Sequence, residues 1–127
     1  MEGGVGIGNP LVGHVKRVWS VAMSEDSDLV TSGSEDGTIR LWRMSTGEMI
    51  GQPLCGHEGE VRAAALSNDG QYVVSCSYDA TIRVWGVRTG KETVNPLCGH
   101  DMGVNSVAIS RSKGWVVSGS SDTTVRV

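Results

Sequence analysis

Short apolar runs separated by turn signals are the dominant pattern along this chain of 127 residues. In its middle part, runs at 61–67, 72–77 and 81–85 are rich in β-forming residues, and the last alternates apolar with polar positions. Asn-Asp-Gly at 68–70 separates the first two runs and is a strong hairpin signal. A weaker fourth run leads into Pro96, which suits the end of an outer edge strand because its missing N–H costs little there. The pattern predicts four antiparallel strands and shows no helical period.

The same pattern recurs at a spacing of 43 residues, as shown by the Gly-His pairs that end at His14, His57 and His100. A shift of 43 residues superimposes many other positions without any insertion or deletion. The aligned sets are Pro10, Pro53 and Pro96; Ser32, Ser75 and Ser118; Asp36, Asp79 and Asp122; Arg40, Arg83 and Arg126; and Trp42 with Trp85. Such repetition indicates a duplicated structural unit, here the four-stranded one.

Composition narrows the class of protein further. The 18 glycines are typical of many tight turns between short strands, and the net charge of −3 without a basic block argues against a nucleic-acid partner. No apolar stretch is long enough to cross a bilayer, and the N-terminus lacks the features of a signal peptide. The odd count of 3 cysteines argues against a disulfide framework, so we expect a cytoplasmic protein without a membrane partner.

These residues resemble the WD40 (WD-repeat) β-propeller family over essentially the whole chain. The shared signature is Gly-His, a strand, a turn with Asp, and a strand that ends in Trp. The resemblance implies an all-β fold of three four-stranded antiparallel blades, which is an incomplete ring because propellers typically have four to eight blades. The Pro-Leu-x-Gly-His motif and the 43-residue period are similar in particular to the arrays of fungal NACHT/WD-repeat, incompatibility-type proteins. The chain departs from the family where Arg43 and Gly86 replace the Asp that follows Trp.

The repeat also predicts the domain organisation. Residues 1–12 form the outer strand of a preceding or latching blade, and 13–55, 56–98 and 99–127 form three repeats, of which the last stops before its Trp. Three blades alone leave a strand edge and two apolar faces uncovered, so we expect no stable closed monomer. Either further blades of a longer chain or a second copy, giving a six-bladed ring, would close it. Sedimentation or light scattering would separate these alternatives.

Each repeat carries a His, a Ser and an Asp, a combination that also occurs in hydrolase triads. A hydrolase needs one triad rather than one in each repeat, and the chain has no Gly-x-Ser-x-Gly nucleophile elbow. The resemblance implies instead a buried structural network, in which Asp accepts from His, His bonds to Ser and Ser bonds to Trp. The network residues are His14, Ser32, Asp36 and Trp42; His57, Ser75, Asp79 and Trp85; and His100, Ser118 and Asp122.

Cys55 with His57 and Cys98 with His100 could suggest a metal site. A structural zinc site needs four convergent ligands, whereas a rigid 43-residue repeat places these pairs on different blades. We therefore predict no metal, no cofactor and no catalytic residue.

The resemblance implies that partners dock on one face of the blades, at positions beside the conserved Val of the first strand and before the turn Asp. The nine residues of this candidate docking face are Arg17, Trp19, Glu35, Glu60, Arg62, Tyr78, Gly103, Asn105 and Ser121. Trp, Tyr and Arg are enriched in binding hot spots, although the same residues could be ordinary solvated loop positions. The expected function is a non-catalytic protein–protein interaction scaffold. The alternatives are a propeller module that binds a small ligand or carbohydrate, and a hydrolase.

Overall fold

A computed structural model describes residues 10–24, 27–110 and 115–127 of the chain. Nine strands and no helix are found within these ranges, so none of the described residues forms a helix that could span a membrane. The strands are β1 (Val18–Ser24), β2 (Leu29–Ser34), β3 (Ile39–Arg43), β4 (Val61–Leu66), β5 (Tyr72–Ser77), β6 (Ile82–Gly86), β7 (Val104–Ile109), β8 (Val116–Ser120) and β9 (Val125–Arg126).

The strands form three separate antiparallel sheets in chain order. They are β1-β2-β3, β4-β5-β6 and β7-β8-β9, each with its middle strand between its two chain neighbours. Short turns connect β4 to β5 and the second to the third strand of each sheet, as the Gly- and Asp-containing turn signals predict. The all-β fold class expected from the sequence is confirmed.

The fourth run of a repeat differs from the regular strand expected from the sequence. In the first repeat it contacts the sheet only through the isolated bridges Ile39↔Leu54 and Trp42↔Met49, and the second repeat has the equivalent two bridges. Pro53 supplies no N–H to the ladder, and Gly51 has a φ of 66°, so the segment cannot keep a continuous strand geometry. The outer strand expected within residues 1–12 falls largely on residues outside the described ranges.

Stacking of each sheet on the preceding one forms the hydrophobic core. Strand β4 packs against β1 and β2, and β7 packs against β4 and β5. Val61 and Val104 occupy equivalent positions at the start of β4 and β7, and both side chains are fully buried. Burial of a valine side chain contributes about 1.5 kcal/mol or more, so the two inter-sheet seams hold the three sheets together.

The outer face of the first sheet lacks such a neighbour in the described structure. Val18, Val21 and Met23 are exposed there, whereas Val61 and Ala64, the equivalents of Val18 and Val21 in the second sheet, are buried. The first sheet therefore presents an apolar face of the kind that the second and third sheets cover.

A β-bulge interrupts the first strand of every sheet at the same position. The pairing register shifts between Val18 and Ser20, and it shifts at the equivalent places in β4 and β7. An extra residue in a bulge leaves the strict alternation of the strand and its side chain is re-aimed. The residues at these bulges are Trp19, Arg62 and Asn105.

The turn between the second and third strands of each sheet requires a left-handed backbone. The residue after the turn Asp has a φ of 84° at Gly37, 71° at Ala80 and 73° at Thr123. Glycine adopts this region freely, whereas a β-branched residue is strained in it. The third sheet therefore carries strain that the first sheet avoids.

Glycine at the left-handed position of the third turn should stabilise the fold, and threonine at the equivalent position of the first turn should destabilise it. We expect Thr123→Gly to raise the free energy of unfolding by about 0.5–1 kcal/mol, and Gly37→Thr to lower it by about 1–2 kcal/mol. Urea denaturation measures both variants. Ser121→Gly, in the same turn but at a residue without a positive φ, is the control and should not stabilise. Equal effects of the two glycine substitutions would contradict the strain argument.

Candidate functional site

A chain of hydrogen bonds links four side chains inside the second sheet. His57 Nδ1 lies 3.1 Å from Asp79 Oδ2, and His57 Nε2 lies 2.7 Å from Ser75 Oγ. The indole Nε1 of Trp85 donates to the same Ser75 oxygen over 2.8 Å. These bonds connect the turn that contains Asp79, the histidine of the Gly-His pair, and strands β5 and β6.

The other two sheets contain the same arrangement. In the first, His14 lies 3.0 Å from Asp36 and 2.7 Å from Ser32, which accepts from Trp42 over 2.9 Å. In the third, His100 lies 2.8 Å from both Asp122 and Ser118. The structure thus gathers the predicted network residues into three equivalent sets, one for each sheet.

Burial decides the protonation of the histidine in the second set. The His57 side chain is fully buried, and this desolvation lowers its pKa despite the opposing attraction of Asp79. A neutral imidazole then donates its Nδ1–H to Asp79 and accepts the Ser75 hydroxyl at Nε2, while the Ser75 oxygen accepts from the indole of Trp85. Each buried polar group of the set has a partner, which a low-dielectric interior requires.

Asp79 stays ionised because its hydrogen bonds outweigh its burial. Burial alone would raise its pKa, but the Thr81 hydroxyl, the backbone N–H groups of Glu58 and Thr81, and His57 all donate to the carboxylate. Together these groups lower the pKa of Asp79 to about 2. The carboxylate therefore fixes the turn and the preceding Gly-His segment at the same time.

Sequence reasoning missed two residue types in the network. A threonine two residues after each Asp donates its hydroxyl to the carboxylate, and a serine two residues before it accepts the N–H of the Asp. These residues are Thr38, Thr81 and Thr124, and Ser34, Ser77 and Ser120. Both sets recur at the 43-residue spacing, so the same periodicity that located the histidines was a sufficient signal for them.

The arrangement is not suited to nucleophilic catalysis. Ser32, Ser75 and Ser118 are buried, and the oxygens of Ser32 and Ser75 also accept a hydrogen bond from an indole N–H. Each Ser oxygen and both nitrogens of each His also have partners within the network.

The cysteines do not assemble with the histidines either. Cys55 and Cys98 are exposed, and each Sγ lies near a proline carbonyl oxygen, at 3.6 and 3.7 Å. Cys76 is buried, which raises the pKa of its thiol to about 12. Within the described ranges no three His, Cys, Asp or Glu side chains converge to hold a metal ion.

The candidate docking face lies at the end of the sheets that carries the turns with Asp36, Asp79 and Asp122. The residue before each turn Asp donates its backbone N–H to a carbonyl that precedes the first strand of the same sheet. The donor and acceptor pairs are Glu35 to Arg17 at 2.8 Å, Tyr78 to Glu60 at 3.0 Å and Ser121 to Gly103 at 3.1 Å. Six of the nine residues of the face are therefore adjacent in pairs.

The bulge residue Trp19 connects this face across the seam between the first two sheets. Its indole Nε1 donates to Glu60 Oε1 over 2.6 Å, and the guanidinium carbon of Arg62 lies 4.3 Å from the ring centroid. The guanidinium carbon of Arg17 lies 5.7 Å from the centroid of the same ring. Cation–π contacts of this kind stabilise by about 0.5–1 kcal/mol at exposed sites. The Trp19 cluster, defined as Arg17, Trp19, Glu60 and Arg62, is thus ordered by its own contacts.

Tyr78 and Asn105 extend the face to the third sheet. A Cβ atom on Gly103 would lie 2.9 Å from Cδ1 of Tyr78, so the glycine leaves room for this ring, which remains largely exposed. Asn105 Nδ2 donates to Ser121 Oγ over 2.9 Å. Next to the Trp19 cluster, a groove of about 300 Å³ is lined by Glu35, Glu58, Glu60, Asp36 and Lys16 and carries an excess of carboxylates.

Comparison with known families gives one match that covers most of the chain. The WD40 family model, described as WD domain, G-beta repeat, matches residues 7–43, 48–86 and 91–127. The three matched segments each contain the strands of one of the three sheets.

Curated proteins match shorter segments. Over 39 residues the chain is 49% identical to Zinc finger CCCH domain-containing protein 17 of Oryza sativa subsp. japonica, which is 31% of this chain and 9% of that protein. It is 45% identical over 38 residues to eukaryotic translation initiation factor 3 subunit I of Debaryomyces hansenii, covering 30% and 11%. It is 51% identical over 35 residues to Protein SPA1-RELATED 3 of Arabidopsis thaliana, covering 27% and 4%. The chain thus aligns with only about a tenth or less of these relatives.

Removal of one imidazole should destabilise the fold. His57→Ala leaves the buried Ser75 and the partly buried Asp79 without their shared partner, so we expect the free energy of unfolding to fall by about 1–3 kcal/mol. Glu58→Ala is the matched control, because this neighbouring side chain is exposed and its backbone N–H to Asp79 is kept. Equilibrium urea unfolding measures both, and equal stability of the two variants would refute the role of the network.

The free energy of unfolding should also decrease as the pH is lowered, over two separate pH ranges. The folded pKa of His57 lies below its usual 6.5, so the unfolded chain takes up the first protons as the pH drops below that value. Asp79, with a folded pKa of about 2, adds a second loss below its unfolded value of about 3.9. We expect the urea midpoint to decline below about pH 6.5 and again below about pH 4. His57→Gln should flatten the upper window, and an unaltered slope there would contradict the assignment.

Proposed function

This chain belongs to the WD40 family, and we propose that it is a non-catalytic scaffold that binds another protein through its candidate docking face. WD40 repeats imply protein interaction as the general role, whereas the face used and the chemistry of the partner are our proposal. The observation that carries it is the Trp19 cluster, in which a bulge residue is held across a seam by Glu60 and Arg62.

The contacts of the cluster reduce the entropy cost of binding. A free surface tryptophan loses rotamer freedom when a partner immobilises it, but the indole of Trp19 is already held by a hydrogen bond and a stacked guanidinium. Preorganisation of this kind raises affinity because less conformational freedom is lost on association. Trp19 retains about a third of its surface exposed and Tyr78 nearly two thirds, so both remain available as anchors.

The groove beside the cluster indicates the charge of the partner. Its carboxylates, on Glu35, Glu58 and Glu60, outnumber the single cation in the lining, that of Lys16. Glu35 and Glu60 are paired with Arg17 and Arg62 at 3.9 and 3.6 Å, so the exposed carboxylate of Glu58 supplies the negative charge beyond these pairs. We therefore propose that the partner presents a basic side chain next to the indole of Trp19, because complementary charge gives specificity and speeds association.

The alternative functions have less support from the geometry. A hydrolase would need one serine activated as a nucleophile, whereas each repeat contains the same buried His–Ser–Asp set and the oxygens of Ser32 and Ser75 already accept from an indole. A carbohydrate or another small ligand would compete for the same face, so the test must include it.

We further propose that the chain acts within a larger assembly of blades. The exposed Val18, Val21 and Met23 form a face that the second and third sheets bury against a neighbour. A preceding blade, from a longer chain or from a second copy, would cover it. The similarity of the 43-residue Pro-Leu-x-Gly-His repeat to fungal NACHT/WD arrays supports a signalling protein of that type, with the free cysteines favouring a reducing, cytoplasmic location.

Partner capture with matched variants tests the docking face. The chain is immobilised as wild type, Trp19→Ala and Arg62→Ala, and the proteins retained from a eukaryotic lysate are compared by quantitative mass spectrometry. We expect both variants to lose the same specific proteins by at least about tenfold, since hot-spot residues contribute about 2 kcal/mol or more.

Trp115→Ala is the control for a general loss of exposed tryptophan. Trp115 is also exposed, but it precedes β8 at the end of the third sheet opposite the turn that contains Ser121. Retention of the full set of proteins by Trp19→Ala would refute the docking face. A glycan array probed with the same chain supports the carbohydrate alternative if binding is found there and is lost in Trp19→Ala.

A further inference from the structure

The first and second sheets hold an arginine of their third strand in the same place. Arg40 lies in β3, and Arg83 occupies the equivalent position in β6. A Cβ atom on Gly13 would lie 2.9 Å from Nη1 of Arg40, and a Cβ atom on Gly56 would lie 3.3 Å from Nη1 of Arg83. Both guanidinium groups therefore rest against the Gly-His segment of their repeat and donate from Nη1 to a side chain of the fourth run.

The acceptor of this Nη1 group differs between the two repeats. In the second repeat Arg83 donates to Oε2 of Glu92 over 2.9 Å. In the first repeat Arg40 donates to the sulfur of Met49 over 3.0 Å, and a shift of 43 residues superimposes Met49 on Glu92. A thioether sulfur is a weak acceptor, and no carboxylate of the described residues pairs with Arg40. The guanidinium of Arg40 therefore lacks the strong partner that Arg83 has.

The side chain of Met49 is accessible to an oxidant, because 36% of its surface is exposed. Its backbone also forms, with Trp42, one of the two isolated bridges that attach the fourth run to β3. Oxidation of a methionine to its sulfoxide adds a polar oxygen, which usually disrupts an apolar contact. At Met49 the sulfur already contacts a cation, so the added oxygen is a better acceptor for the same donor.

We propose that Met49 is a redox modification site, and that its sulfoxide gives Arg40 the oxygen acceptor that Glu92 gives Arg83. A hydrogen bond from a charged donor to oxygen is roughly twice as strong as a neutral one. Oxidation therefore tightens the attachment of the fourth run to β3 instead of loosening it. The site lies outside the candidate docking face, so its test does not depend on the proposed function.

Hydrogen peroxide is the oxidant in this step. A lone pair of the Met49 sulfur attacks one peroxide oxygen, so that an S–O bond forms while the O–O bond breaks. The second oxygen leaves as hydroxide and takes the proton from the sulfur-bound oxygen, which gives the sulfoxide and one water. Sulfur loses two electrons and peroxide gains them.

Oxidation of the intact chain tests the site against a matched variant. Wild type and Met49→Leu are treated with hydrogen peroxide and then with dithiothreitol, which reverses sulfenic acid and disulfide formation at the exposed Cys55 and Cys98. Both proteins keep the other methionines, so the difference between them reports Met49. We expect the urea midpoint to change more favourably in the wild type, by about 0.3–0.7 M. An equal or less favourable change in the wild type overturns the proposal.

Peptide mass spectrometry locates the modification in the same samples. Met44 is the internal reference, because it is exposed to nearly the same extent as Met49. We expect the two side chains to be converted to sulfoxide to a similar degree. Conversion of Met44 while Met49 stays unmodified overturns the proposal.

Amide hydrogen exchange followed by NMR tests where the oxidised chain is tightened. The N–H groups of Ile50 and Leu54 attach the fourth run to β3 through bonds of 2.7 Å, and Thr93 and Leu97 are their equivalents in the second repeat. Oxidation should slow exchange at Ile50 and Leu54 by about two- to tenfold and leave Thr93 and Leu97 unchanged, because Glu92 already supplies an oxygen there. Unchanged exchange at Ile50 and Leu54, or equal slowing in both repeats, overturns the proposal.

A double-mutant cycle tests the part played by Arg40. Met49→Gln places a permanent amide oxygen at this position, on a side chain as long as that of Glu92. We expect it to raise the urea midpoint of the wild type and to give no gain in an Arg40→Gln background, where the cationic donor is absent. A gain of equal size in both backgrounds overturns the assignment of Arg40 as the donor.

Discussion

The hydrogen bond from a buried imidazole to an ionised turn carboxylate is the interaction on which each sheet depends. It joins His57 to Asp79, which are 22 residues apart in sequence, and the same imidazole is linked through Ser75 to the indole of Trp85. A sheet of three short strands is marginal by itself, because few apolar side chains are buried within one layer. The polar chain inside each sheet therefore sets its turn and its register, and stacking on the next sheet supplies most of the hydrophobic burial.

This difference between contacts within a sheet and contacts between sheets determines how substitutions affect stability. Between sheets, contacts such as that of Val61 on the preceding sheet are apolar and fully buried, and a Cβ on Gly33 would come within 2.6 Å of the Val61 side chain. Within a sheet, the same backbone is held by the polar network, in which each buried group of the second set has a hydrogen-bond partner. Changes of volume at the seams and changes of polarity in the network affect stability through different physical terms, namely overpacking and unpaired buried groups.

The sequence predicted the fold class because periodicity is a global signal. The identical spacing of His14, His57 and His100 required one repeated unit, and Asn-Asp-Gly at 68–70 required a hairpin. The same spacing placed the histidine, serine and aspartate sets in equivalent environments. It did not predict the bulge at Trp19, because an alternation of apolar and polar residues does not show where one extra residue enters a strand. It also predicted a regular fourth strand where two isolated bridges are found, since propensity cannot weigh a ladder against Pro53 and Gly51.

In the first strand of each sheet, the bulge residue belongs to the candidate docking face, whereas its neighbours pack against the adjacent sheet. Trp19, Arg62 and Asn105 differ completely in chemistry although they occupy the same geometric position, while the valines beside two of them remain fully buried. Side chains at such positions can be exchanged with little effect on the packing underneath. The side chain at each of the three bulges can therefore vary while the buried valines beneath stay the same. A combinatorial library randomised at these positions alone would vary recognition while keeping the inter-sheet seams intact.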